Sequence, residues 1–132
     1  MITCEVYTPS GKKLVLETEI VSIGATDGRR GILPNHMPIV LTIEASRFTT
    51  LKNGVRTHYA VGDGVLYFKD NVAKILVESI EAQSDIDAER AKRARDRANA
   101  RLQSHDPNID VRRAEIALKK SLNRLSVYEY RE

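Results

Sequence analysis

The spacing of apolar residues changes near residue 84, and this change constrains the fold more than any other feature of the chain. Before it, short runs rich in β-branched residues are separated by turn signals, a pattern typical of β-strands. After it, none of the seven glycines occurs, and Ala, Arg and Lys, which are good helix formers, dominate. The sequence therefore predicts an α+β chain, with a β domain over residues 1–84 and a helical domain over residues 85–132.

The β half contains six segments that match the strand pattern: residues 2–6, 14–16, 19–23, 39–43, 65–68 and 73–77. Gly, Pro, Asn and Asp clusters separate them. The strongest turn signal is Asn53-Gly54, because a type I′ hairpin needs two residues that tolerate positive φ. Many short strands at this spacing favour a sandwich or barrel over a parallel βαβ fold.

The helical half predicts two helices joined by a short link. We expect the first over residues 86–103, with Ser84 as its N-cap and Asp87 completing a capping box. Asp106 is the expected cap of a second helix over residues 108–128. Because the link is short, an antiparallel two-helix hairpin is the default arrangement.

The two predicted helices repeat each other at an offset of 23 residues, which simple duplication of one helical unit would explain. Ile86, Asp87, Arg90, Ala91, Ala94, Arg101 and Leu102 match Ile109, Asp110, Arg113, Ala114, Ala117, Arg124 and Leu125. At about 100° per residue, positions i, i+7 and i+11 lie within roughly 20° of one line. The cations therefore form two matching rows: Arg90, Arg97 and Arg101, and Arg113, Lys120 and Arg124.

The positive charge is concentrated in this helical half. The chain carries a net charge of +3, yet between Arg90 and Arg124 eleven basic residues face four acidic ones, a local charge of +7. An anionic partner is expected: nucleic acid, an acidic protein surface or a phosphate-bearing ligand. The alternative is a solvated helix face supported by i,i+3 pairs such as Asp87–Arg90. Nucleic acid is disfavoured because no aromatic residue lies between Phe68 and Tyr128 to stack on bases.

No catalytic or metal-binding constellation is present in the sequence, which favours a binding or regulatory protein over an enzyme. His36, His58 and His105 lie far apart and are predicted to be ordinary surface or turn residues. Cys4, the only cysteine, is expected to pack as a small hydrophobic residue. No run approaches the roughly 18 apolar residues that cross a bilayer, and the N-terminus lacks a secretory profile. We expect the protein to stay where it is made.

Two motifs resemble those of the epsilon subunits of bacterial F-type ATP synthases. Residues 31–39 (Gly-Ile-Leu-Pro-Asn-His-Met-Pro-Ile) are similar to a proline-stiffened loop of that family. Residues 85–91 (Asp-Ile-Asp-Ala-Glu-Arg-Ala) are similar to the Ile/Leu-Asp-x-x-Arg-Ala motif of members that bind ATP. The resemblance covers essentially the whole chain. It implies a flattened β-sandwich followed by a two-helix hairpin, in a non-catalytic rotor subunit of a proton-translocating complex.

The resemblance also implies partners for each half. The sandwich would bind the gamma subunit and the ring of c subunits, with a ring-contact loop containing Gly31, Pro34, His36 and Pro38. The hairpin, when extended, would reach the catalytic beta and alpha subunits and block ATP hydrolysis. Its expected inhibitory contacts are Arg112, Arg113, Lys119, Lys120 and Arg124. The subunit would lie at the cytoplasmic face of the cell membrane without inserting into it or binding nucleic acid.

In members that bind ATP, the nucleotide holds the hairpin in its folded-down form. No cofactor is required, and ATP, with or without magnesium, is implied only as a regulatory ligand. Carried over to this sequence, the site consists of Glu81, Ile86, Asp87, Arg90, Ala91, Arg97, Arg113 and Arg124. The acidic residues would accept bonds from adenine or ribose, and the arginines would meet phosphates. Lys120 stands where such relatives have a further Arg, and it lacks the bidentate fork.

Overall fold

The computed structural model describes all 132 residues, which divide into two compact units, Met1–Gln83 and Ser84–Glu132. The first unit is built from β-strands and the second from two α-helices, which confirms the predicted α+β class. A 3₁₀ turn, Gln83–Asp85, spans the boundary between them. The predicted division, after residue 84, lies within this turn.

The first unit contains ten strands. They are β1 (Ile2–Tyr7), β2 (Lys13–Thr18), β3 (Val21–Ala25), β4 (Gly28–Ile32), β5 (Ile39–Ile43), β6 (Ser46–Lys52), β7 (Val55–Val61), β8 (Gly64–Lys69), β9 (Val72–Val77) and β10 (Ile80–Ala82). They form one continuous sheet in the order β10-β7-β6-β3-β5-β8-β9-β1-β2, and β4 pairs with β3 outside this path. Only β1 and β9 pair in parallel. A single residue pair, Ala25 with Ile43, connects β3 to β5.

Four strands, namely β4, β6, β7 and β10, were not predicted from the sequence. The longest of them, β6 and β7, are rich in threonine and charged residues and so lack a clear apolar alternation. Their connection was predicted: Asn53 and Gly54 have φ of 53° and 76°, and they join the paired residues Lys52 and Val55. This two-residue loop with positive φ at both positions confirms the predicted hairpin turn.

The core lies between the inner faces of the two layers. Its largest fully buried side chains include Phe48 and Phe68, surrounded by the inward-facing aliphatic residues of the strands. Along β1, β8 and β9 buried residues alternate with exposed or half-buried ones, as the two-residue period of a strand requires. Cys4 belongs to this core, and its burial raises the pKa of the thiol to about 12.

The second unit consists of α1 (Ala88–Ser104) and α2 (Val111–Glu129), which pack against each other. Both helices begin later than the sequence predicted. Their buried positions coincide under the 23-residue repeat: Ala91 and Ala98 on α1 correspond to Ala114 and Ser121 on α2. Small residues allow two helices to approach closely, but they bury little apolar surface. Leu125 and Val127, which are also buried near the end of α2, add apolar burial to that of these small residues.

We predict that Phe68→Ala destabilises the β unit by about 3–5 kcal/mol, because it removes a fully buried ring. Alkylation of Cys4 by iodoacetamide at about pH 8 measures this loss, since a pKa of about 12 leaves almost no thiolate until the core opens. The alkylation rate should rise at least about a hundredfold. Leu76→Ala, at a half-exposed position, is the control and should change the stability by less than about 1 kcal/mol. Equal rates in the two variants would contradict the assigned core.

Candidate functional site

The two helices begin with the same capping geometry. The Asp87 side chain accepts a hydrogen bond from the backbone N–H of Arg90 at 3.1 Å, and Asp110 accepts one from Arg113 at the same distance. The predicted N-caps, Ser84 and Asp106, are wrong. Ser84 lies in the 3₁₀ turn, and Asp106 accepts instead from Asn108 in the link. The observed caps are the residues that the internal repeat equates.

The motif at the start of α1 has a buried and an accessible side. Ile86 and Ala91 are buried, whereas the side chains of Asp87 and Arg90 are exposed. The predicted Asp87–Arg90 ion pair is not formed, because the carboxylate caps the backbone of the first turn. The apolar residues thus anchor the helix start, while the guanidinium of Arg90 remains available to solvent.

The two predicted cation rows are largely exposed. Five of their six residues have exposed side chains: Arg90, Arg97, Arg101, Arg113 and Lys120. None of these five side chains makes an ion pair or a hydrogen bond. In contrast, Lys92 on α1 pairs with Glu89 at 3.7 Å, and Arg95 pairs with Asp96 at 3.1 Å. These five side chains are therefore uncompensated positive charge, which attracts anions.

The remaining predicted site residues are distributed over both units. Arg124 is half-buried in α2, whereas Arg112 and Lys119 are exposed on the same helix. Glu81 lies in β10, in the first unit, and is half-buried. Ile86, Asp87, Arg90, Ala91, Arg97, Arg113 and Arg124 all lie in the second unit.

The predicted ring-contact loop is held by hydrogen bonds at Asn35 and exposes apolar side chains on both sides of that residue. Gly31 belongs to β4, while Pro34, His36 and Pro38 follow in the connection to β5. Asn35, at φ 67°, donates its backbone N–H to the Asn71 side chain at 2.6 Å. Leu33 and Met37, next to the prolines, are 60% and 73% exposed.

Asn71 and Phe68 also shape this loop. The sequence did not indicate their role, because it depends on contacts between residues far apart in the chain. Asn71 belongs to the turn between β8 and β9, and its side-chain amide also donates to the Asn35 side chain at 3.1 Å. The His36 ring meets the Phe68 ring edge-on, with 6.0 Å between the ring centroids. His36 therefore helps to hold the loop against the core.

The base of the loop also carries charge. Arg29 and Arg30 are exposed on β4. The Arg30 guanidinium forms a salt bridge with the Asp27 carboxylate, and this hydrogen-bonded contact lowers the pKa of Asp27. The Arg29 guanidinium donates to the Arg47 carbonyl at 2.8 Å.

The three histidines do not form a site. His36 is half-buried in the loop, and His105 is exposed at the end of α1 in a left-handed conformation. His58 contradicts the prediction of a surface or turn residue, since it is buried within β7 and shares a 3.2 Å hydrogen bond with Thr49. No group of three or more His, Cys, Asp or Glu side chains is placed to hold a metal ion.

Comparison with known proteins assigns both units to one family. The family described as "ATP synthase, Delta/Epsilon chain, beta-sandwich domain" matches residues 1–83, and "ATP synthase, Delta/Epsilon chain, long alpha-helix domain" matches residues 84–129. The chain belongs to the epsilon-subunit family of F-type ATP synthases. This confirms the resemblance found in the sequence. As an epsilon subunit, the protein is a non-catalytic component of the ATP synthase central stalk.

Curated epsilon subunits match over almost their full length. The ATP synthase epsilon chain of Bacillus cytotoxicus is 41% identical over 123 residues, which cover 92% of each chain. That of Bacillus licheniformis is 38% identical over 122 residues, covering 92% of this chain and 93% of the relative. That of Levilactobacillus brevis is 32% identical over 134 residues, covering 98% and 96%.

Solved structures share the epsilon-subunit fold. A chain of the Euglena gracilis mitochondrial ATP synthase, described as OSCP/F1/c-ring in rotational state 1, superposes with a TM-score of 0.79 at 21% identity. The match covers 92% of this chain and 78% of that one. A chain from the central stalk and c-ring of the Tetrahymena thermophila mitochondrial enzyme gives a TM-score of 0.55 at 11% identity, over 96% and 92%. Neither helix of this epsilon subunit has the length and hydrophobicity needed to cross a bilayer.

We predict that Asp87→Ala and Asp110→Ala each destabilise their own helix by about 1 kcal/mol, because each removes the acceptor for a first-turn amide. Amide hydrogen exchange of Arg90 and Arg113 should accelerate roughly fivefold in the corresponding variant. Ser84→Ala is the matched control and should leave both amides unchanged. Faster exchange of Arg90 in Ser84→Ala than in Asp87→Ala would show that the cap is assigned to the wrong residue.

Proposed function

We propose that this epsilon subunit joins the rotor through its β unit and restrains ATP hydrolysis through its basic hairpin. The observation that supports the restraint most directly is that five of the six cations in the two rows are exposed and make no ion pair or hydrogen bond. Unpaired surface charges of one sign favour association with a surface of the opposite sign, and they determine how the two partners are oriented in the complex. The proposed partners are acidic segments of the catalytic beta and alpha subunits, with Arg112, Arg113, Lys119, Lys120 and Arg124 as the contacts.

The small residues at the repeated contact positions support a hairpin that can change its packing. Each CH₂ group that is absent from a contact forgoes about 0.8 kcal/mol of burial. Ala91, Ala98 and Ala114 provide little of it, and the like charges on the two helices oppose their association. We infer that two packings of this hairpin differ by little free energy, which is the condition for a switch.

ATP is proposed as a ligand that favours one of these packings. The motif at the start of α1 exposes the carboxylate of Asp87, which can accept a hydrogen bond from the base or ribose. Arg90, in the same motif, and Arg97 provide two exposed cations for the phosphates. Arg124 is the proposed further contact within the second unit, and magnesium would neutralise part of the phosphate charge. ATP acts here as a signal and not as a substrate.

The rotor contact is proposed on the outer face of β5, β8 and β9. Val40, Val65, Tyr67 and Leu76 point outward and are between 42% and 66% exposed. In the strand register Val40 pairs with Tyr67, and Val65 pairs with Leu76, so they form a contiguous patch. Exposed apolar patches commonly mark protein interfaces. We assign this patch to the gamma subunit and the apolar loop tip to the c ring, with the protein at the cytoplasmic face of the membrane.

Replacing Arg113, Lys120 and Arg124 together with Gln is expected to raise ATP hydrolysis by the assembled complex several-fold. The substitutions remove the charges proposed to hold the hairpin in its inhibitory position. Deleting residues 85–132 should raise hydrolysis at least as much and leave assembly intact, because the β unit has its own core.

The matched control replaces three cations of α1 outside the rows: Lys92, Arg93 and Arg95. It removes the same charge from the same hairpin and should leave hydrolysis unchanged. A complex whose hydrolysis responds equally to both triple variants, or that fails to assemble without the hairpin, would contradict the proposed division of roles.

Tyr67→Asp is expected to weaken assembly with the gamma subunit at least about a hundredfold, because burying an unpaired charge costs several kcal/mol. Co-purification of the complex from cells measures this loss. Val55→Asp, at a position 64% exposed on β7, is the control and should assemble normally. Circular dichroism should be unchanged in both variants, since both positions face solvent. Normal assembly of Tyr67→Asp would exclude this face as the gamma interface.

A further inference from the structure

A groove opens at the turn of the hairpin, between the end of α1 and the start of α2. It has a volume of about 360 Å³, within the range of ligand-binding pockets. The lining residues are Arg101, Asn108, Ile109, Asp110, Arg113 and Ala114. All belong to the second unit, so the groove is formed by the hairpin itself.

The groove contains a second copy of the motif at the start of α1. Residues 109–114 (Ile-Asp-Val-Arg-Arg-Ala) repeat residues 86–91 (Ile-Asp-Ala-Glu-Arg-Ala) at the 23-residue offset. The local geometry is also repeated. In each copy the Asp side chain accepts the N–H of the Arg three residues later at 3.1 Å, and the Ala that follows that Arg is buried. The same capping arrangement therefore places an Ile, an Asp, an Arg and an Ala at equivalent positions of both helix starts.

The end of α1 contributes a further cation to the groove beside the second copy of the motif. The repeat equates Arg101, near the end of α1, with Arg124, near the end of α2. Arg101 lines the groove together with Arg113, so each helix contributes one arginine to its lining. Neither side chain makes an ion pair or hydrogen bond, and the side-chain amide of Asn108 has no partner either. Two cations against the single carboxylate of Asp110 leave the groove with a net positive charge.

We propose that this groove is a second nucleotide-binding site, which takes a nucleoside polyphosphate at the turn of the hairpin. Arg101 and Arg113 bind phosphate oxygens, for which the planar guanidinium is suited. The free oxygen of Asp110 accepts from the base or the ribose, and Ile109 provides an apolar surface beside them. This assigns Arg113, which sequence resemblance placed in the first site, to the groove instead. The nucleotide class rests on the proposed function of the motif at the start of α1, whereas the groove and its charge do not.

The test is a titration of the full-length, ¹⁵N-labelled chain with ATP and magnesium, followed by NMR. We expect the amides of residues 109–114 to shift along with those of residues 86–91. Replacing both Arg101 and Arg113 with Gln should weaken binding measured at residues 109–114 at least about tenfold, because each removes charge-assisted bonds. Binding measured at residues 86–91 should be retained. The charge-matched control, Lys92→Gln with Arg93→Gln, should leave both sets unchanged.

The amide shifts of residues 109–114 and of residues 86–91 report separately on the groove and on the ATP site proposed at the start of α1. If Arg90→Gln abolishes the shifts at residues 86–91 and those at 109–114 persist, both sites are supported as independent. If ATP shifts only residues 109–114, the groove is supported and the proposed sensor site is overturned. Unchanged amides at residues 109–114 at about 10 mM ATP, or an equal loss in the charge-matched control, would overturn the groove. Equal shifts at 109–114 from inorganic phosphate and from ATP would overturn its assignment to a nucleotide.

Discussion

The balance between cation repulsion and small-residue packing within the hairpin underlies the regulatory role proposed for this subunit. Ala91, Ala98 and Ala114 let the helices approach closely but give little apolar burial, while the cation rows oppose the approach. An anion that binds the rows removes repulsion and so stabilises whichever packing it contacts. Acidic protein surfaces and nucleotide phosphates are then alternative ligands for the same charges. Competition between them would connect the nucleotide level to enzyme control.

The β unit differs from the hairpin in having a large apolar core and no net charge. Phe48, Phe68 and the aliphatic residues around them fill a continuous core, and the charges of residues 1–84 cancel. A stable, neutral platform suits a permanent rotor contact, because it need not change conformation when the complex turns. The apolar outer patch and the fixed loop tip lie on this platform. Anchoring and control are thereby assigned to separate units of one short chain.

Local sequence predicted the structure correctly where one physical signal dominated, and it failed to do so where several signals competed. Asn53-Gly54 specified its turn, because few other residues tolerate positive φ at both positions. The strands β6 and β7 were hidden because threonines and charged residues replace the apolar alternation. Ser84 and Asp106 were each chosen as caps over an equally suitable aspartate three or four residues later. Asp87 and Asp110, which the repeat equates, are the caps that the sequence could have indicated, whereas the contact of Asn71 with the loop needs the tertiary fold.

The central claim, that the hairpin occupies more than one packing, is tested most directly by a distance between spin labels in the assembled complex. Thr57→Cys on β7 and Ser126→Cys on α2 are exposed labelling positions, and buried Cys4 should not react. The account predicts at least two distance populations whose ratio changes when ATP is added. A single distance distribution, unchanged by ATP, would contradict it.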